Sequence, residues 1–105
     1  MNDKTKSYNA ADEDGVKTRK RKDEQVRERE LADLKLVMES TEGRRFIWRL
    51  LDRAGVFRTS FTGNSTTFFN EGQRNMGLIV LADVHEACAE RYIQMMKEAK
   101  EESNG

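Results

Sequence analysis

The chain has 105 residues with 19 basic and 19 acidic side chains and no formal net charge, which allows one domain and excludes a protein that coats nucleic acid with its whole surface. Charged and hydrophobic residues each make up 36% and proline is absent, a composition rich in Glu, Lys, Arg, Leu, Met and Ala that favours helices over a turn-rich β architecture. Cys88 is the single cysteine, so no intramolecular disulfide is available and a reducing compartment is the easier assumption.

Residues 1–22 contain no leucine, isoleucine or phenylalanine and set Asp12, Glu13 and Asp14 beside Lys17, Arg19, Lys20, Arg21 and Lys22. Such a segment buries too little apolar surface to offset its ordering entropy. The sequence therefore predicts a disordered charged arm over 1–22, a helical domain over 23–102 and a flexible tail over 103–105. The run from Thr18 to Lys22 could touch phosphate or an acidic protein surface, but a solvated charge run is the commoner outcome. No apolar signal segment opens the chain, and the longest apolar run, Leu78 to Ala82, is far short of the ~20 residues that span a bilayer. The expectation is a protein without a membrane partner, held in the cytoplasm or inside an assembly made there.

In the domain, Val26, Leu31, Leu34 and Met38 recur at helical spacing, with Leu36 and Val37 beside them, and predict a first helix over about 24–39. Ser40 and Thr41 interrupt it; either can cap the next helix, with Glu42 near that helix's positive end. The second helix, about 42–54, reads as an apolar stripe of Phe46, Ile47, Leu50 and Leu51, flanked by Trp48 and Ala54. Arg45, Arg49 and Arg53 fall at four-residue intervals on another stripe. Gly55 stands where a left-handed C′ residue is wanted, and Val56 can fold back on Leu51 in a Schellman motif.

A polar connection follows, punctuated by Phe57 and Phe61, aromatics of the kind that pin a loop to the core. Ser65 or Thr66 can cap a third helix over about 67–86. Its apolar positions Phe68, Phe69, Met76, Ile79, Val80 and Val84 suggest a largely buried element. Gly72 and Gly77 weaken this helix, which suggests close approach of another backbone at both. A last helix over about 89–102 carries Ala89, Tyr92, Ile93 and Met96 on one face, and whether a turn near Ala87 and Cys88 separates it from the third is open. The expected class is all-α, a small domain of three to four helices behind the disordered charged arm.

Charge is uneven along these elements. Between Arg44 and Asn75 stand Arg44, Arg45, Arg49, Arg53, Arg58 and Arg74 against Asp52 and Glu71, with no lysine. Arginine without lysine points to geometry, since its planar fork binds carboxylate or phosphate bidentately. Some of these arginines are expected to pair with acids inside the domain, Arg74 with Glu71 or Glu86 being one case, whereas Arg45, Arg49 and Arg53 read as exposed.

Candidate chemistry is sparse. His85 and Cys88 form a His-x-x-Cys pair, but a structural zinc needs four ligands and no second His or Cys exists. As nucleophile and base the pair lacks an orienting third group. A surface histidine and a half-buried cysteine is the preferred reading. The glycines build no phosphate-binding loop, and Phe68 and Phe69 fit core packing better than base stacking. No catalytic residue, metal or cofactor is expected, and the chain reads as a non-enzymatic binder of other macromolecules.

Three stretches carry a resemblance: Gly43-Arg44-Arg45-Phe46-Ile47-Trp48-Arg49-Leu50-Leu51, Ala54-Gly55-Val56-Phe57-Arg58-Thr59-Ser60-Phe61, and Phe69-Asn70-Glu71-Gly72-Gln73-Arg74-Asn75-Met76-Gly77-Leu78. Over about residues 30–99 the sequence resembles a family of small tailed-bacteriophage proteins typified by one from a short-tailed Bordetella phage. Ala89 departs from it, since similar proteins tend to carry proline after the cysteine. The family is encoded among head, portal and terminase genes, which implies a virion component or assembly factor located in the virion or the host cytoplasm. The family supplies no catalytic residues. The partners this implies are phage structural proteins (portal, capsid or tail), met by Arg45, Arg49, Arg53, Phe57, Arg58 and Phe61, with self-association left open. A DNA-associated helical protein in packaging or transcription ranks second, and an inhibitor of a host enzyme third.

Overall fold

The computed structural model describes residues 2–58 and 66–105, with side chains from residue 12 onward. It contains α1 (Asn2–Glu39), α2 (Thr41–Ala54) and α3 (Thr66–Asn104), with no strand among the described residues. The fold is all-α. The chain divides into two units, Met1–Glu30 and Leu31–Gly105.

In the first unit the backbone is helical from Asn2, yet between residues 12 and 30 every side chain is exposed except Arg27, which is half-buried. Among its contacts, Thr18 Oγ1 donates to the Asp14 carbonyl at 2.9 Å, and Arg27 lies 3.5 Å from Glu30. A helix that is polar all round has only its backbone hydrogen bonds and a costly nucleus to set against chain entropy. The segment read as a charged arm thus has helical backbone from Asn2, and its described side chains, from residue 12 to 22, are all exposed.

The second unit takes in the end of α1, all of α2 and α3. Ser40 is the N-cap of α2, in extended conformation, its Oγ accepting from the Gly43 amide at 2.9 Å. Gly43 is required at that junction, because a Cβ there would fall on the Val37 carbonyl. At the other end Gly55 is left-handed (φ 80°), its amide donating to the Asp52 carbonyl at 3.0 Å and that of Val56 to Leu51 at 3.2 Å. This is the expected Schellman motif, and Val56 is buried behind it.

The buried face of α2 differs from the expected stripe. Ile47 and Leu51 are inside, with Arg44 beside them and Trp48 and Ala54 half-buried, whereas Phe46 is 53% and Leu50 41% exposed. The reason is angular: Phe46/Ile47 and Leu50/Leu51 are adjacent pairs about 100° apart on the helix, so one member of each turns inward and the other outward. Arg44, one turn before Ile47 and Trp48, fixes which.

α2 packs on α3. The core is Met38 of α1, Ile47, Leu51 and Val56, with Val84 and Met95 of α3, surrounded by half-buried Leu34, Leu78, Leu81, Tyr92 and Met96. The largely buried third helix is not found: Phe68, Phe69, Met76 and Ile79 are exposed, Val80 is half-buried, and Val84 and Gly77 face inward. Those four exposed residues lie on the side of the helix opposite Gly77, Leu81 and Val84, the positions that meet α2. Gly77 does permit close approach, since a Cβ there would sit 2.5 Å from Val56 Cγ2 and 2.7 Å from Ala54 Cβ, but at Gly72 none of the described residues comes near. The third and last helices run on as one element with a break at Cys88 (φ −164°, ψ 74°). A following proline also drives its neighbour out of the helical region, and Cys88 leaves it here with Ala89 in that place.

Candidate docking face and the arginine beneath it

Arg44 anchors α2 from inside. Its side chain is buried, and its Nε donates to Glu98 Oε1 at 2.6 Å while Nη2 reaches Oε2 at 3.3 Å. Nη1 donates to the carbonyls of Met38 and Glu39, both at 2.9 Å, and Nη2 also meets Thr41 Oγ1 at 3.3 Å. One guanidinium thereby satisfies the last carbonyls of α1, which lack helical partners, and ties them to α3 through a bidentate carboxylate. The hydrogen bond from Arg44 holds the Glu98 carboxyl below its ordinary range, helped by the nearby charges of Arg44, Arg45 and Arg91 and opposed by partial burial. An internal arginine pair was expected, but with Arg44 and Glu98 in neither role; 54 positions of separation leave no local signal.

The outward face of α2 carries Arg45, Arg49 and Arg53, all exposed, together with Phe46 and Leu50. The Arg49 guanidinium lies 5.5 Å from the centre of the Phe46 ring, a cation–π contact. Past the Gly55 cap, Phe57 stacks on Trp48 with centroids 5.2 Å apart and still keeps 41% of its area exposed. Arg58 is exposed and donates to the Asp52 carbonyl at 2.5 Å. Of the residues expected to meet a partner, Arg45, Arg49, Arg53, Phe57 and Arg58 are thus all at the surface, while Phe61 lies outside the described residues, as does Ser65. Phe46 and Leu50 were missed, because apolarity alone assigns them to the core. For Arg74 no pair with Glu71 or Glu86 is found among the described residues, and its Nε is buried without a hydrogen-bond partner.

His85 is exposed and rests against Tyr92 with ring centroids 4.2 Å apart. Cys88 sits half-buried at the break in α3, where burial raises its thiol above the usual value against the opposing charges of Lys35 and Arg91. A thiol held protonated is a poor nucleophile. Among the described residues no three His, Cys, Asp or Glu side chains are grouped to hold a metal ion, and no helix is long and apolar enough to cross a membrane.

These features define a small all-α protein with a compact helical body behind a charged N-terminal segment. The family of Bbp19-like phage proteins matches residues 34–97, and the chain belongs to that family. The match covers the end of α1, all of α2 and most of α3, and leaves out the charged segment. No curated protein and no solved structure matches the chain.

Proposed function

We propose that this phage protein is a non-enzymatic accessory of the particle, in the virion or at its assembly in the host cytoplasm, that docks on a larger structural protein of the portal, capsid or tail. The observation that carries the reading is the outward face of α2, where Phe46 and Leu50 stand in solvent beside Arg45, Arg49 and Arg53. Aromatic side chains and arginines dominate the energetics of protein interfaces, and large apolar side chains left grouped at a surface mark interaction sites. Phe57 and Arg58, both exposed just past the end of α2, are assigned to the same contact, as is Phe61 from the sequence.

A nucleic-acid partner is the second reading, favoured by the three arginines themselves. A stripe of three offers few phosphate contacts, which salt near physiological levels weakens strongly. Combining Arg45→Ala, Arg49→Ala and Arg53→Ala separates the two. Docking on protein predicts that the variant is lost from purified particles while wild-type duplex binding stays weak across a salt series. Normal incorporation together with tight wild-type duplex binding that the variant loses would reverse the order.

A further inference from the structure

The turn that closes α2 forms one wall of an open cleft of about 270 Å³, lined by Arg53, Ala54, Gly55 and Arg58 on that side and by Asn70, Gln73 and Arg74 of α3 on the other. Three guanidiniums share this space, and among the described residues no carboxylate lines it. None of the three forms an ion pair with a described residue. Arg53 in the last turn of α2 and Arg58 on the Asp52 carbonyl are accounted for by the negative end of that helix. Arg74 is not: it comes from α3, is half-buried, and carries a buried Nε with no acceptor. The helix end offers only a partial negative charge to two of the three guanidiniums, so the cleft keeps a net positive charge that a bound anion relieves.

We propose that this cleft is an oxyanion site that takes a phosphate group, as inorganic phosphate or a small phosphomonoester. Three guanidiniums offer more N–H donors than the two oxygens of one carboxylate accept, whereas a phosphate dianion presents three or four oxygens and up to two charges. The cleft has room beyond the anion itself, since one water needs only ~10–15 Å³ of such space. Asn70 and Gln73 add amides at its rim. Arg53 and Arg58 also belong to the proposed docking face, but Arg74, Asn70 and Gln73 do not, and phosphate binding by the isolated chain is read apart from docking on a partner.

The test is a titration of the full chain followed by backbone-amide NMR, with sodium phosphate, a small phosphomonoester and, as control, sodium chloride at matched ionic strength. Phosphate is expected to give saturable shifts at Ala54, Gly55, Gln73 and Arg74 that chloride does not give. Arg58→Gln and Arg74→Gln should each weaken binding by about tenfold, the loss of one charge-assisted hydrogen-bond donor. Should Arg74→Gln fail to fold, the exposed Arg58→Gln carries the comparison alone. Equal responses to phosphate and chloride, undiminished binding in Arg58→Gln, or shifts produced by a short DNA duplex and by neither small phosphate would each overturn the proposal. The two small ligands separate the sources: a phosphomonoester that binds more tightly than inorganic phosphate assigns the spare volume to its organic part.

Discussion

Arg44 and Glu98, 54 positions apart, are joined by two hydrogen bonds of 2.6 and 3.3 Å, and the same guanidinium holds the Met38 and Glu39 carbonyls. One side chain thus links the end of α1, the start of α2 and the last part of α3. Lysine cannot replace it, since a single ammonium does not span a carboxylate on one side and two carbonyls on the other. Arg44→Lys is expected to lower unfolding free energy by about 2–4 kcal/mol. Glu98→Gln should cost less, because the amide keeps an acceptor toward Arg44 and the side chain is 34% exposed. Urea denaturation of both variants checks the order; an Arg44→Lys protein as stable as wild type would remove the linking role.

The pair also sets a pH dependence. Arg44 holds the folded Glu98 carboxyl below its unfolded value, so the charged form is favoured by folding. The stabilisation is present in full above the unfolded glutamate range, ~4.3, and is lost as pH falls through the lower folded value. The stability gap between wild type and Glu98→Gln is therefore expected to be constant from pH 7 to about 5.5 and to narrow on acidification below ~4.3. A gap that widened in acid would have the wrong sign.

Two glycines on one helix should respond oppositely to alanine. At Gly77 a methyl group would meet Val56 Cγ2 at 2.5 Å and Ala54 Cβ at 2.7 Å, whereas at Gly72 it would meet none of the described residues within 4 Å. Gly72→Ala is expected to stabilise by about 0.5–1 kcal/mol through helix propensity. Gly77→Ala should destabilise by about 1–3 kcal/mol through overpacking, despite the same propensity gain. Thermal melts decide it, and shifts of the same sign in both variants would show that α3 does not approach the end of α2 in this register.

The adjacent pair Leu50 and Leu51 separates core from surface in α2. Leu51 is fully buried and Leu50 is 41% exposed, so Leu51→Ala should cost about 2–5 kcal/mol and Leu50→Ala less than about 1 kcal/mol. Phe46→Ala belongs with Leu50→Ala on stability. Comparable losses at Leu50 and Leu51 would place both inside and leave the docking face without its apolar part.

That pair also marks the limit of what the sequence holds. Helical periodicity located α2 to within a residue, and Ser40, Gly55 and Val56 announced its ends, because caps and Schellman motifs are set by neighbours a few positions away. Which of two adjacent apolar residues turns inward is not local: it depends on Arg44 finding Glu98 and on Gly77 admitting Ala54 and Val56. The arginines of the candidate face were legible as a four-residue repeat, since exposure is the default for such a stripe. Phe46 and Leu50 were not, since nothing near them in sequence distinguishes an apolar residue that packs from one left in solvent.

The break at Cys88 leads to a last expectation. Cys88 has extended backbone (φ −164°, ψ 74°) between two helical stretches, and Ala89 is then the first residue of the second stretch. Proline is favoured at that place, because its missing N–H falls among the donors without an intrahelical acceptor and its fixed φ suits the helix start. The residue before it must also leave the helical region, a condition Cys88 already meets. Ala89→Pro is therefore expected to be neutral or to stabilise by up to about 1 kcal/mol, chiefly by restricting the unfolded chain. An uninterrupted helix predicts a different result, a loss of about 3 kcal/mol or more from a blocked hydrogen bond and a clash with the preceding turn. Chemical denaturation of this variant, with Ala82→Pro as the interior control, tells the two apart. If both prolines cost the same, α3 runs through Cys88 without a break.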